Sequence, residues 1–510
     1  MLCAFARSHG LQSAHPGGTP GEKLILPGQY RENNVWLAFE EAVETWQLDH
    51  PPLPLSRWPD LPPGSGGISL YPGRFRELAG ELSRAEIATS LLLPPRPRPL
   101  MWALSALWTG WLWGQEAAAD FHNLLSLTTT DWTWYSRALE NNFSSLNASL
   151  KANTLCHNLL VNVDPEFLTS IITAGQTAGL SLEELALNPG TDRGQLLFKK
   201  PLREPMQAEA NGKDVLRNAG YQHLQQLGEP AHSLTLFGAG LLGLARSRWF
   251  PLSNQTPVQE TFQRLQELLE ETYAYRQGFL YYPEIKRWWH QELKLNPQPL
   301  SDQVEQKAVE LLIETEGPVP ARQLEDSLYR DFPGLLTPDA ELIRVCLASY
   351  GKPLEERGEM VQLQEGDRPE RRYQDLEEMA ALLNQLGQQL GFEISQLAPS
   401  GGVQVYRWID GETILTFFLS ASALLGKLIV KNTRGSSRNW IVLPGSRAKL
   451  VTHKLHHNPP LASRVEEKWG FLKFRHLRRL SDEGNLNRKN FMERFALDPL
   501  TYDDPQLPLI

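Results

Sequence analysis

Cysteine is scarce in this chain, with three in 510 residues, at Cys3, Cys156 and Cys346. An odd number so widely spaced builds neither a disulfide framework nor a zinc ribbon, and it fits a reducing cytoplasm. Long apolar runs are missing too. The most apolar stretch lies within Leu91–Gly114 and is shorter than the roughly 20 apolar residues that cross a bilayer, so no membrane association is expected. The opening MLCAFARSHGLQSAHPGG breaks into His, Pro and Gly before a signal-peptide core forms. Also absent ahead of Ile68 is a strand leading into a glycine-rich acidic turn, the usual cradle of a nucleotide-like cofactor.

What is present is the composition of a folded protein, with 41% hydrophobic and 21% charged residues and 15 tryptophans. The length suits roughly three domains of about 100–200 residues each. A formal net charge of −9 conceals an asymmetry: Lys427 to Arg494 holds 16 Lys and Arg against 5 Asp and Glu, a local balance of +11. A basic module on an acidic body points to a polyanion partner, and DNA is the expected one.

The chain is organised around LLLPPRPRPLMWALSALWTGWLWG. Leu91 to Leu93 read as a buried strand that Pro94 and Pro95 end, because proline donates nothing to a ladder. The helix after it is apolar on every side, which predicts a central position. Asp131 is placed to cap a helix carrying Trp132, Tyr135, Leu139, Phe143, Leu146 and Leu150 at intervals of three and four. The strand LCHNLLVNV follows, then a helix begun by Asp164-Pro165 and stopped near Gly179. LSLEELAL and QLLFKK form a hairpin around NPGTDRG.

The strand, the Pro-Pro loop and this order of elements resemble the catalytic corner and closing half of a class I DNA methyltransferase. DWTWYSRALENNFSSLNASL, VDPEFLTSIITAGQTAGLSLEELAL and SALWTGWLWG resemble the later part of large bacterial adenine-specific DNA methylase-like proteins. In amino-directed enzymes of that kind an Asp or Asn, two prolines and an aromatic hold a flipped-out base. The matching residues here are Leu93, Pro94, Pro95 and Arg96, and leucine offers no side-chain acceptor. The resemblance therefore implies a degenerate motif with no catalytic residue assigned. No cofactor is expected, S-adenosylmethionine being the one that an intact relative would use.

Further on, LTLFGAGLLGLARSRW contains Gly238, Gly240 and Gly243, a formal GxGxxG without the second, acid-ended strand of a dinucleotide site, and reads as close helix packing. Ser301 to Leu363 resembles a winged helix, although the third helix carries one base, Arg344, beside two acids. Glu370 to Gly391 is a helix with a Tyr373, Leu376, Met379, Leu383, Leu386, Leu390 seam, suited to linking domains or pairing with a partner. Asp410-Gly411 marks a hairpin.

After Asn439 the text alternates in a manner that resembles restriction-endonuclease-like domains, but Pro444, Gly445 and Ser446 stand where a metal-holding acid is needed. FLKFRHLRRL reads as a strand mixing aromatics with bases. His453 and His457 lack a third ligand, so no metal is assigned to them.

The fold expectation is therefore a methyltransferase-like α/β domain with a partial Rossmann-type sheet, followed by helical, winged-helix-like and basic α/β C-terminal modules. The boundaries are a Pro/Gly-rich segment at 1–67, the α/β domain at 68–200, a helical connector at 201–298, a winged-helix-like domain at 299–366, a linking helix at 367–400 and the basic domain at 401–510. The functional expectation is a cytoplasmic bacterial pseudoenzyme that binds nucleic acid within a DNA modification or defence assembly. Its expected contacts are Arg438, Arg447, Lys449, Lys454, Lys473, Arg475, His476, Arg478 and Arg479. Two alternatives stand beside it: a DNA adenine methyltransferase half completed by a partner chain, and a structural subunit that contacts other proteins without nucleic acid.

Overall fold

The computed structural model describes residues 54–60, 66–71, 73, 75–82, 87–125, 131–203, 207–208, 210–273, 278–315, 317–354, 360–400, 402–411, 413–432, 438–484 and 486–500, with short strand pieces at 12–13 and 24–25. The helix expected at 34–46 lies outside the described residues. The chain forms two compact units, one of residues 1–184, 195–210 and 244–267, the other of 185–194, 211–243 and 268–510. No described helix is long and apolar enough to cross a membrane.

Strands β1 (Gln12–Ser13) and β2 (Leu24–Ile25) pair antiparallel, and β3 (Leu55–Arg57) and β4 (Ile68–Leu70) pair parallel. Then come α1 (Phe75–Leu82), β5 (Thr89–Leu92), α2 (Pro99–Trp113), α3 (Gln115–Leu125), α4 (Trp132–Ser149), β6 (Leu155–Val161), α5 (Pro165–Thr177), β7 (Ser181–Asn188) and β8 (Arg193–Lys199). The local signals act as written in the sequence. Asp131 caps α4 by accepting from the Trp134 amide at 2.8 Å, and Asp164 caps α5 through the Phe167 amide at 2.8 Å. Gly179 ends α5 at φ +82, a left-handed conformation that glycine adopts without a Cβ penalty.

The sheet runs in the order β5-β6-β8-β7, with β5 and β6 parallel. Backbone bonds from Asn153 to Lys200 and from Lys200 to Thr154 set the end of β8 beside the start of β6, so these two strands run antiparallel. Helix α2 corrects one expectation. It packs on one side, with Trp102 edge-on to Trp134 at 6.4 Å, but Leu107, Trp111 and Trp113 are 69%, 74% and 72% exposed. A helix apolar all round has no polar face to declare which side meets solvent, so composition did not determine burial.

The connector is α6 (Gly212–Leu227), β9 (Ala231–His232), α7 (Ser233–Arg246), α8 (Val258–Tyr273), β10 (Phe279–Tyr282) and β11 (Arg287–His290). It is not all helical, since β10, β11 and β9 form a three-stranded sheet. The aromatic, β-favouring FLYY and RWWH flank a Pro283 turn, and those local preferences override the apparent helical run. The three glycines of the GxGxxG pattern lie inside α7. A Cβ on Gly240 would sit 2.7 Å from Leu216, and one on Gly243 would sit 2.8 Å from Ala219, so both serve close packing.

Next stand α9 (Leu300–Glu314), β12 (Val319–Pro320), α10 (Ala321–Asp331), α11 (Ala340–Tyr350), β13 (Gly351–Pro353) and β14 (Met360–Leu363), the strands ordered β12-β14-β13 and antiparallel. The final sheet is five-stranded. The elements of this last part are α12 (Pro369–Gln389), β15 (Glu393–Ser400), β16 (Val403–Asp410), β17 (Thr413–Leu419), α13 (Leu425–Lys431), β18 (Arg438–Leu443), α14 (Ala448–His457), α15 (Pro459–Lys468), β19 (Trp469–Lys473), α16 (Phe474–Asp482) and α17 (Phe491–Phe495). Strand order follows sequence order, antiparallel through β17 and parallel from β17 to β19. Helix α12 is no free linker: Met379, Leu383, Leu386 and Leu390 are buried with Trp408 and Phe417 in one core. Its seam therefore belongs to the C-terminal fold, which begins before residue 401.

Candidate functional site

The Pro-Pro loop leaves the end of β5 and is fastened at both sides. Arg96 donates to the Asn162 carbonyl at 2.8 Å, forms an ion pair with Asp164 and lies 5.6 Å from the centre of the Trp132 ring. Tyr135 donates its hydroxyl proton to the Pro95 carbonyl. Leu93, next after the end of this strand, is 65% exposed and carries no side-chain acceptor. Two carboxylates stand at this corner: Asp164 caps α5 and pairs with Arg96, and Glu166 beside it is raised above its usual range chiefly by burial. The loop is thus tied at both sides, with its arginine engaged as a structural tie.

In the basic module the structure corrects much of the expected nucleic-acid surface. Arg447 is fully buried, paired with Asp367, stacked 3.3 Å from the Tyr350 ring centre and donating to the Ala421 carbonyl at 3.1 Å. Lys454 is buried between Asp302, at 2.6 Å, and Glu305, and also donates to the Ala423 carbonyl at 3.0 Å. Lys473 is buried against Asp498 at 2.8 Å, and buried His476 bonds through Nε2 to the Arg494 carbonyl at 2.7 Å. Arg447, Lys454 and Lys473 are taken up by internal acids because leaving a buried charge unpaired costs several kcal/mol, and His476, lowered by burial, is taken up by a hydrogen bond. FLKFRHLRRL is also not one strand: β19 stops at Lys473 and α16 begins at Phe474.

The remaining expected contacts are nearer to solvent. Arg478 makes a fork to Glu378, at 2.8 and 2.7 Å, and reaches Asp375 at 3.1 Å, which lowers the Glu378 carboxyl below its usual range. Arg475 is 63% exposed while bonding Asp498 at 2.9 Å, and Arg479 approaches Glu483 at 3.5 Å. Arg438 lies over the Trp440 ring at 5.5 Å, and Lys449 is exposed. Helix α11, which would be the groove-reading helix of a winged helix, turns Leu342, Ile343, Cys346, Leu347, Ser349 and Tyr350 inward. That leaves Glu341, Arg344 and Ala348 exposed, a narrow and nearly neutral strip.

A cleft of about 50 Å³ lies wholly within the second unit, with His232, Arg287, Asp339, His453 and His457 among its lining residues. Burial lowers His232 to about 4, aided by the nearby Arg287 charge. Burial, then the neighbouring His457 and Arg287, lowers His453 to about 4, and burial with Arg287 lowers His457. All three imidazoles are therefore neutral at neutral pH. His457 Nδ1 bonds the His453 carbonyl at 2.9 Å, and since a carbonyl only accepts, Nδ1 carries the proton and the Nε2 lone pair is left for another partner. Arg287 is held by the Pro230 carbonyl at 3.1 Å and by Asp339 at 3.9 Å.

Sequence reasoning found the paired histidines but missed Glu341, which sits on α11 and lies with both rings in one cluster. It also missed Asp302, Glu305 and Asp367, the acids that neutralise Lys454 and Arg447. Local spacing carries no signal for any of these, because each partner is supplied by a distant element. No family model and no curated protein matches the chain.

Proposed function

We propose that this chain is a methyltransferase-like protein without methyl-transfer chemistry, acting in a DNA modification or defence assembly and touching nucleic acid through a few exposed basic side chains. One observation carries the reading: the β5-β6-β8-β7 order, in which the last strand enters antiparallel beside β6, combined with a Pro-Pro loop at the end of β5 that presents Leu93. That arrangement agrees with the closing half of a class I methyltransferase sheet whose acceptor has been replaced. The β12-β14-β13 unit with its three helices agrees with a winged helix serving as a structural module, because α11 is largely buried.

Nucleic-acid contact falls to Arg438, Lys449, Arg475 and Arg479. Four phosphate contacts set an upper salt slope of about 3.6 log units of affinity per log unit of salt. Fluorescence anisotropy with duplex DNA at several salt concentrations tests this. Binding with a slope no steeper than that value, reduced by Arg438→Ala with Lys449→Ala, is expected. Salt-independent binding or none removes the nucleic-acid part of the proposal. Calorimetric titration with S-adenosylmethionine is expected to show no heat of binding, and saturable binding would restore the partner-completed methyltransferase. The exposed Leu107, Trp111 and Trp113 on α2 favour a second reading, a structural subunit that binds other proteins.

A further inference from the structure

We propose that Glu341, His453 and His457 form a binding site for a borderline divalent cation of the zinc class. One potential ligand atom from each residue lies within 4.8 Å of the others. His453 and His457 are one turn apart on α14, their ring centres 4.3 Å apart, so a single helix presents both imidazoles to one point. The carboxylate arrives from the first turn of α11. A tetrahedral ion with bonds of about 2.0–2.2 Å holds its ligand atoms about 3.3–3.6 Å apart. Closing that gap takes only small rotations, and the exposed Glu341 side chain is free to make them.

Three further features favour a cation here. The His457 tautomer is set by its bond to the His453 carbonyl, the backbone arrangement that orients a metal-binding imidazole. His457 stands in the last turn of α14, where the negative end of the helix dipole attracts positive charge, and His453 lies one turn before it. The positive charge of Arg287 opposes binding, but Asp339 and the Pro230 carbonyl hold it. Two imidazoles and one carboxylate form a donor set that Zn²⁺ accepts while keeping a further position open. The adjoining 50 Å³ cleft has room for a few waters at that position. The site is independent of the nucleic-acid reading above.

The test uses the full chain stripped with a chelator, titrated with Co²⁺ while its visible absorption is followed, then competed with Zn²⁺. Saturable binding at one site is expected, with the absorption of nitrogen and oxygen ligation, displaced by Zn²⁺. Glu341→Gln, an exposed and nearly isosteric change, should weaken binding about tenfold or more, as should His453→Asn, while His456→Ala leaves it unchanged. Circular dichroism melts show that each variant is folded before its affinity is compared. Absence of saturable binding in the parent chain overturns the proposal. So does binding that survives Glu341→Gln but is lost in His456→Ala, the mark of adventitious chelation by surface imidazoles.

Discussion

Lys454 shows how much one side chain's meaning depends on its partners. In the sequence it is one of 16 cations in a basic stretch, and in the structure it is the counter-charge of Asp302 and Glu305. Glu305 also accepts from Tyr350 and the Ala423 amide, and Asp302 from the Gly426 amide at 2.8 Å, so every member of the cluster is tied to another element. Lys454→Ala would leave two buried carboxylates facing each other, at a cost of about 3–5 kcal/mol in urea unfolding. The exposed Lys449→Ala should change stability by no more than about 0.5 kcal/mol in the same assay. Equal costs would refute the assigned roles.

His223 provides a second residue-scale expectation. Burial lowers it from 6.5 to about 4, and its Nε2 has no hydrogen-bond partner among the described residues. Because the folded pKa lies below the unfolded one, the unfolded chain takes up the proton first. Stability is therefore complete above pH 6.5 and is lost as pH falls towards 4. The slope from this group is up to about 1.4 kcal/mol per pH unit. His223→Leu should flatten the acid limb of a stability–pH profile by that amount, and an unchanged limb would count against it.

At the scale of elements, legibility followed the kind of signal. The caps Asp131 and Asp164, the stop at Gly179 and the hairpin at Asp410-Gly411 are readable because each acts within a few residues of itself. The sides that elements present were less readable. Helix α12 was suited by its leucine seam to a partner, yet Gly387 lets Trp408 approach so closely that a Cβ would stand 2.7 Å from its Nε1. Gly387→Ala should therefore overpack this core and cost about 1–3 kcal/mol, measured as a lowered denaturation midpoint. Helix α2 failed in the opposite direction, because an apolar surface on all sides leaves open which part is covered.

For the whole chain, the charge asymmetry changes its significance. Of the cations between Lys427 and Arg494, six pair with acids outside that stretch: Arg447 with Asp367, Lys454 with Asp302 and Glu305, Lys473 and Arg475 with Asp498, Arg478 with Asp375 and Glu378, and Arg488 with Asp410. Much of the local +11 is thus an internal matching of a basic stretch to acids of the same unit. Screening acts weakly on the buried members of this set and strongly on the exposed ones. Moderate salt should accordingly alter the proposed DNA affinity more than the melting temperature, checked by anisotropy titrations and calorimetric scans at the same two salt concentrations.

The sequence by itself determined element ends where a cap, proline or glycine marks them, as at Asp131, Asp164 and Gly179, because these signals act over a turn or two; it did not do so within FLKFRHLRRL or the connector. It also determined that position 93 carries no side-chain acceptor, since that is a matter of residue identity. Only the tertiary structure decided that Arg447, Lys454 and Lys473 are internal, that α12 belongs to the C-terminal core, and that Glu341 joins His453 and His457. Each of these depends on residues tens to more than a hundred positions apart being brought within a few ångströms, and no local pattern records which distant charge a side chain will meet.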